Sequence, residues 1–235
     1  MAVITAWRMN DKHETLQQLW LKHVRGIGVD KPSMRLLSMV VAAWSQPHRR
    51  YHNLRHLQEC LHLLERWGRD EPARHEIGVA LWFHDAVYDP KRDDNEDRSA
   101  RWATRALREL EAPDATRRRV AKLIRATAHS NSSTAGRALN APGTALLLDI
   151  DLAILGADRA RFEEYERQVR LEYGHVQERE FAQVRASLLR SLLSGPIFRT
   201  DPAHAELEVR ARENLLRSLD RWQAASSGDA MYGSQ

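Results

Sequence analysis

The stretch Leu54-Arg55-His56-Leu57-Gln58-Glu59-Cys60-Leu61-His62-Leu63-Leu64-Glu65-Arg66-Trp67 carries apolar residues at 54, 57, 61, 64 and 67, and Gly68 follows it. Steps of three and four residues match the 3.6-residue period, so one face is apolar and the spacing predicts a helix from about 52 to 67. Ile77, Ala80, Leu81 and His84 continue the pattern on a second helix, which should run into the Tyr88-Asp89-Pro90 break, because proline cannot continue a helix. Similar patterns predict helices near 97–111, 115–129, 144–155, 158–173, 176–193 and 202–222. Asp201-Pro202 reads as a helix start: aspartate caps the first amides and proline lacks the donor that would be orphaned there. Alternating strand-like runs and hairpin signals are missing. The expected fold class is therefore all-α, a helical bundle. The Ser-, Asn-, Gly- and Pro-rich segment 131–143 reads as a loop, and 226–235 as a disordered tail.

A chain of 235 residues, 43% hydrophobic, suffices for one domain with a real core, which we place over 1–225. The single cysteine, Cys60, excludes an intramolecular disulfide and a thiolate cluster, so any metal site must use histidine and carboxylate. It also points to a reducing compartment, and with no run of eighteen apolar residues we expect a cytoplasmic protein without a membrane partner. The net charge is +4, yet the basic residues are scattered and interleaved with glutamate, as between Arg161 and Arg170, which reads as ion-paired helix faces. Arg117-Arg118-Arg119 is the one tight basic run and is too short to predict nucleic-acid binding. The expected partner is a small molecule; a homodimer is compatible with the sequence. The tryptophans read as core residues, with stacking on a base as the alternative for Trp82.

Three groups of polar residues fall inside these apolar patterns. His52 and His56 lie four apart, which places them one turn apart on one expected helix. His84 and Asp85 are adjacent, so they diverge by about 100° and can serve one ion only if it sits beside their turn. Asp149 and Asp151 bracket Ile150 after the apolar run 145–148, where a carboxylate needs a partner or a cation. Each group alone is weak: a histidine pair is more often a surface or packing feature, and Asp-x-Asp is frequently a cap. Their conjunction and order carry the argument.

That order resembles the HD superfamily, helical proteins named for a His-Asp pair. Tyr51-His52-Asn53 followed by His56 is similar to the Tyr-His-Asn-x-x-His string of cyclic-nucleotide phosphodiesterases. Trp82-Phe83-His84-Asp85-Ala86-Val87-Tyr88, Asn95-Glu96, Ser99-Ala100, Asp149-Ile150-Asp151-Leu152 and Ile154-Leu155-Gly156 resemble a bacterial group of metal-dependent HD phosphohydrolases. Val169-Arg170-Leu171-Glu172-Tyr173 and Ala211-Arg212-Glu213-Asn214-Leu215 do so as well, and the likeness runs from about Trp20 to Leu219. It implies an HD-type helical domain and one divalent metal ion (Mn, Fe, Co, Ni, Zn or Mg) on His56, His84, Asp85 and Asp151. It also implies hydrolysis of a phosphate ester with His52 as general acid; we expect a small, nucleotide-like ester rather than a polymer, because the acidic segment 93–97 would repel a long polyanion. Asp149 would then support a ligating histidine from behind.

Binuclear members bring extra histidines after the His-Asp pair, whereas only His129 stands in that stretch here, which favours one metal with His129 as a phosphate contact. A histidine favoured by a helix C-terminus is the equal alternative. Glu96 would orient the water, against a solvated acid at a helix start. Arg170, Tyr173, Arg185 and Arg212 are candidates for the phosphate pocket, because guanidinium matches phosphate geometry. Ion pairs with Glu172, Glu208 or Glu213 are the alternative for at least two of them. Two other functions remain open: a regulatory HD module without turnover, and a dimetal oxygenase, which the shortage of histidines disfavours.

Overall fold

The computed structural model describes residues 15–128 and 142–227, which form ten α-helices and one 3₁₀ turn with no strand among them. The helices are α1 (Leu16–Gly26), α2 (Met34–Trp44), α3 (Leu54–Trp67), α4 (Arg74–Phe83), α5 (Asn95–Glu109), α6 (Asp114–Ala126), α7 (Thr144–Asp151), α8 (Arg159–Glu172), α9 (Glu178–Leu193) and α10 (Asp201–Ser227), with the 3₁₀ turn Leu152–Gly156 after α7. None is long and apolar enough to cross a membrane. The expected all-α class holds.

Two helices escaped the sequence reading. α1 begins at a capping box, in which the Thr15 side chain accepts from the Gln18 amide and Gln18 reaches back to the Thr15 amide. Ser33 caps α2 by accepting from the Leu36 amide. Both signals are legible as a Ser or Thr ahead of an apolar run. At the other end α10 runs through Ser226 and Ser227, two residues into the segment expected to be a tail. Residues 228–235 and most of the expected 131–143 loop lie outside the described residues, as does His129.

Helices α1 to α7 enclose one hydrophobic cluster centred on Trp20, Trp44, Leu61, Ile77, Trp82 and Phe83. Tyr51, the 3₁₀ turn and α8 to α10 enclose a second, built around Phe162, Tyr165, Phe181, Leu189 and Phe198. Leu63 and Trp67 of α3 touch both, so the helix that opened the sequence reading is the spine between them. Its leucines face inward as the spacing demands. Trp82 is fully buried and packs edge-on against Trp20 at 5.4 Å, so it is a core residue and cannot stack on a base.

Beside the first cluster, the fully buried His23 ring lies where a Cβ on Gly78 would stand 2.3 Å away, which requires glycine there. His23 Nε2 stands 3.3 Å from Glu65, and Lys22 and Arg74 pair with the same carboxylate. Burial opposes the Glu65 charge, but these partners outweigh it and hold its pKa down to about 2. A depressed carboxylate stabilises the fold above its unfolded pKa, and that contribution fades as pH falls toward the folded value. Glu65→Gln should therefore lower the urea midpoint most above pH 5. Its difference from wild type should shrink as pH falls toward 3; a constant difference would refute the assignment.

Candidate metal centre

Three elements from distant parts of the chain end at one point. Leu54 opens α3 behind the Asn53 cap, whose side chain accepts from the Arg55 amide, and this sets His56 in the first turn. α4 ends at Phe83, so His84 and Asp85 stand at its C-terminal end rather than in its body as expected. This relaxes the 100° constraint: His84 Nε2 lies 3.3 Å from Asp85 Oδ2. Asp151 is the last residue of α7, with Oδ1 3.2 Å from His56 Nε2 and 3.3 Å from His84 Nε2. One donor atom each from His56, His84 and Asp151 lies within 4.8 Å of the others; Asp85 is outside that group and meets His84.

The His84 imidazole is held in the tautomer that suits a cation. His84 Nδ1 donates to the Leu81 carbonyl at 2.9 Å, which leaves Nε2 as the lone-pair atom. That Nε2 is buried and makes no hydrogen bond among the described residues, an expensive arrangement unless a cation or proton occupies it. Burial works against an imidazolium there, yet the Asp85 and Asp151 carboxylates outweigh it and raise the His84 pKa to about 9. A divalent ion satisfies the same two carboxylates and the same lone pair. His56 Nδ1 faces the Tyr51 hydroxyl at 3.1 Å, so its Nε2 also points inward. The neighbouring Cys60 sulfur is 3.7 Å from His56 Nδ1, burial and then Asp151 push its pKa up, and it is not part of the three-residue cluster. Two imidazoles and two carboxylates form a donor set for a borderline or hard divalent ion.

His52 is not on the helix of His56: it precedes the Asn53 cap, and the two rings meet edge-to-face at 6.0 Å. What places it is Glu172, 120 residues away, which sequence reasoning named only as an ion-pair alternative. Glu172 Oε1 accepts from the amides of Arg50, Tyr51 and His52 at 2.7, 2.8 and 3.0 Å. Its Oε2 accepts from His52 Nδ1 at 2.6 Å and from the Tyr88 hydroxyl at 2.8 Å. The His52 ring also stacks on Tyr88 at 4.4 Å. Burial lowers the His52 pKa, but the hydrogen bond and charge of Glu172 more than reverse this and raise it. Arg49, unremarked in the sequence, is buried and donates to the carbonyls of His52, Asp85 and Ala86, fastening the two site loops together.

The remaining candidates divide. Tyr173 is half-buried beside the site: burial and then Glu172 raise its phenol pKa, with smaller contributions from Asp85 and Glu96. Glu96 is half-buried in the first turn of α5, where its neighbours Asn95 and Ser99 tie down Asp89 and Val87 of the loop after Asp85. The three arginines do not line a phosphate pocket. Arg170 donates to the carbonyls of Tyr173 and Val176, closing the end of α8. Arg185 is buried against the Tyr165 hydroxyl and Glu166, and Arg212 is spent on Glu208 and the carbonyls of Leu193 and Gly195. Each sits beside an acceptor closer in the fold than the metal centre.

Asp149, expected behind a ligating histidine, instead accepts from the Arg199 and Thr200 amides and the Thr200 hydroxyl, at 2.7 to 3.0 Å. It ties α7 to the start of α10. Asp149→Ala leaves those donors without their acceptor and should cost about 2–4 kcal/mol in chemical denaturation while the folded fraction keeps its metal. Loss of metal from folded protein would return Asp149 to the centre.

No family model, curated protein or solved structure matches the chain.

Proposed function

We propose that this protein is a metal-dependent hydrolase, with a divalent ion held by His56, His84, Asp85 and Asp151. More narrowly, we propose a phosphohydrolase of the HD type acting on a small phosphate ester. The buried Nε2 of His84, 3.3 Å from the carboxylates of both Asp85 and Asp151 and clustered with His56, is the observation that carries the reading. Bound there, a divalent ion acidifies a water and polarises a phosphoryl oxygen.

The chain's own residues supply the rest. Glu172 fixes the His52 tautomer with Nδ1–H directed at the carboxylate, so Nε2 is the atom free to face an ester. The raised pKa favours the protonated ring, which suits a general acid toward a leaving oxygen. Tyr88 holds the other side of the same carboxylate and stacks on the ring, so His52 can neither rotate nor swing away without breaking two contacts. Glu96 and Tyr173 are further candidates for polar contacts to substrate or water, Tyr173 lying within the field of Glu172, Asp85 and Glu96. His129 remains a candidate from the sequence alone.

Elemental analysis of the purified protein together with a panel of phosphate mono- and diesters, assayed with Mn or Co, tests this reading. We expect about one metal per chain and hydrolysis of at least one small ester. Stoichiometric metal with no hydrolysis of any ester would favour a regulatory module, and two metals with oxygen consumption an oxygenase.

A further inference from the structure

Outside the metal centre, the loop after Asp85 and the outer face of α5 enclose a cavity of about 370 Å³ lined by Val87, Arg98, Arg101, Trp102 and Arg105. A larger one of about 840 Å³ adjoins it and shares Val87, Arg98 and Trp102, so the indole stands between the two. These volumes fall in the range that takes a cofactor-sized molecule.

The smaller cavity is lined by cations and apolar surface with no carboxylate. Its three arginines recur at three- and four-residue spacing, which puts like charges side by side on one helix face and weakens the helix unless an anion lies between them. Asp97 neutralises Arg101 in part, but it is shared with Arg125. Among the described residues no carboxylate lies within ion-pair distance of Arg98 or Arg105, both of which are exposed; Asp94, one turn before Arg98, is clasped by Arg92. Trp102 is half-buried and braced edge-on against Phe83 at 5.6 Å, so its indole is a fixed surface rather than a mobile one.

Guanidiniums in a fixed row bind phosphate oxygens in bidentate fashion, and a rigid indole beside them offers a stacking surface for a flat base. We propose that this groove is a binding site for a nucleoside polyphosphate, with the phosphates on Arg98, Arg101 and Arg105 and the base against Trp102. Val87 lines it, and the same loop carries Asp85 two residues earlier, so an occupant would press on the metal centre from outside. The inference rests on α5 and does not depend on the reaction proposed above.

Equilibrium dialysis of the full chain with β,γ-methylene ATP and with inorganic tripolyphosphate tests it. Arg98→Ala/Arg105→Ala, a surface variant expected to fold, should weaken both ligands at least about tenfold. Trp102→Leu, checked for folding by circular dichroism, should weaken the nucleotide about 5- to 50-fold and leave tripolyphosphate unchanged. Asp85→Ala should bind both as wild type does. Failure of either ligand to bind wild type, or unchanged binding in the arginine variant, overturns the site. Loss of binding in folded Asp85→Ala assigns the ligand to the metal centre and overturns it as well. Equal affinity for the two ligands, insensitive to Trp102, overturns the nucleoside part.

Discussion

His56→Ala is expected to strip the metal, while His52→Ala keeps it and loses turnover. The two histidines are near neighbours, yet they are tied to different partners. His56 Nε2 faces Asp151 and its Nδ1 faces Tyr51, whereas His52 Nδ1 is held by Glu172 with its ring on Tyr88. Removing His56 takes one of two imidazoles from the donor set, and metal content should fall below about a tenth of wild type, with turnover falling with it. Removing His52 leaves all four proposed donors and should lower kcat by about 100- to 10,000-fold, the range for lost general-acid assistance. Metal analysis of folded variants reads the first effect and single-turnover hydrolysis the second. Metal lost with His52 and retained without His56 would reverse the assignment.

Glu172→Gln should have nearly as large an effect, and on two properties at once. The buried carboxylate serves five donors, three of them consecutive backbone amides that set the approach to α3. An amide side chain offers one acceptor oxygen and places an NH₂ against at least one donor. The expected loss of stability is therefore about 2–4 kcal/mol in urea denaturation. Burial opposes the Glu172 charge, but His52 and the other donors hold its pKa down to about 2. Its stabilisation is therefore present above the ordinary carboxylate range and fades as pH falls toward that value. His52 has the opposite sign: its raised folded pKa means the protonated form, and turnover that needs it, is lost as pH rises through that value. In Glu172→Gln this alkaline fall should move to lower pH, because the charge that raised the pKa is gone. A destabilised variant with an unmoved pH profile would show that Glu172 is structural only.

The stripe of Leu54, Leu57, Leu61 and Leu64 made α3 legible, and the same periodicity located most of the helices from α4 onward, because a neighbour three or four residues away is a property of the chain itself. Ends were less legible. The sequence pattern ran through His84 where α4 stops, and it placed His52 inside α3 although Asn53 caps it from outside. The grouping of His56, His84, Asp85 and Asp151 was expected from residue type, order and resemblance, and the structure brings His56, His84 and Asp151 together, with Asp85 beside His84.

Tertiary packing decided the partners. The sequence reading favours Asp151 over Asp149 for the metal but sets Asp149 behind a histidine; the direction in which α7 presents them sends Asp151 to the histidines and Asp149 to the start of α10. Arg170, Arg185 and Arg212 have the chemistry of a phosphate pocket, but each meets an acceptor first, and a guanidinium so engaged is not available to substrate. Arg49 carries no local mark of importance and Glu172 only its place in a resembling string, since their hydrogen bonds span 36 and 120 residues. Helical period is encoded within one turn and survives in the sequence alone. The partner of a buried charge is set by which helices meet, which no short pattern contains.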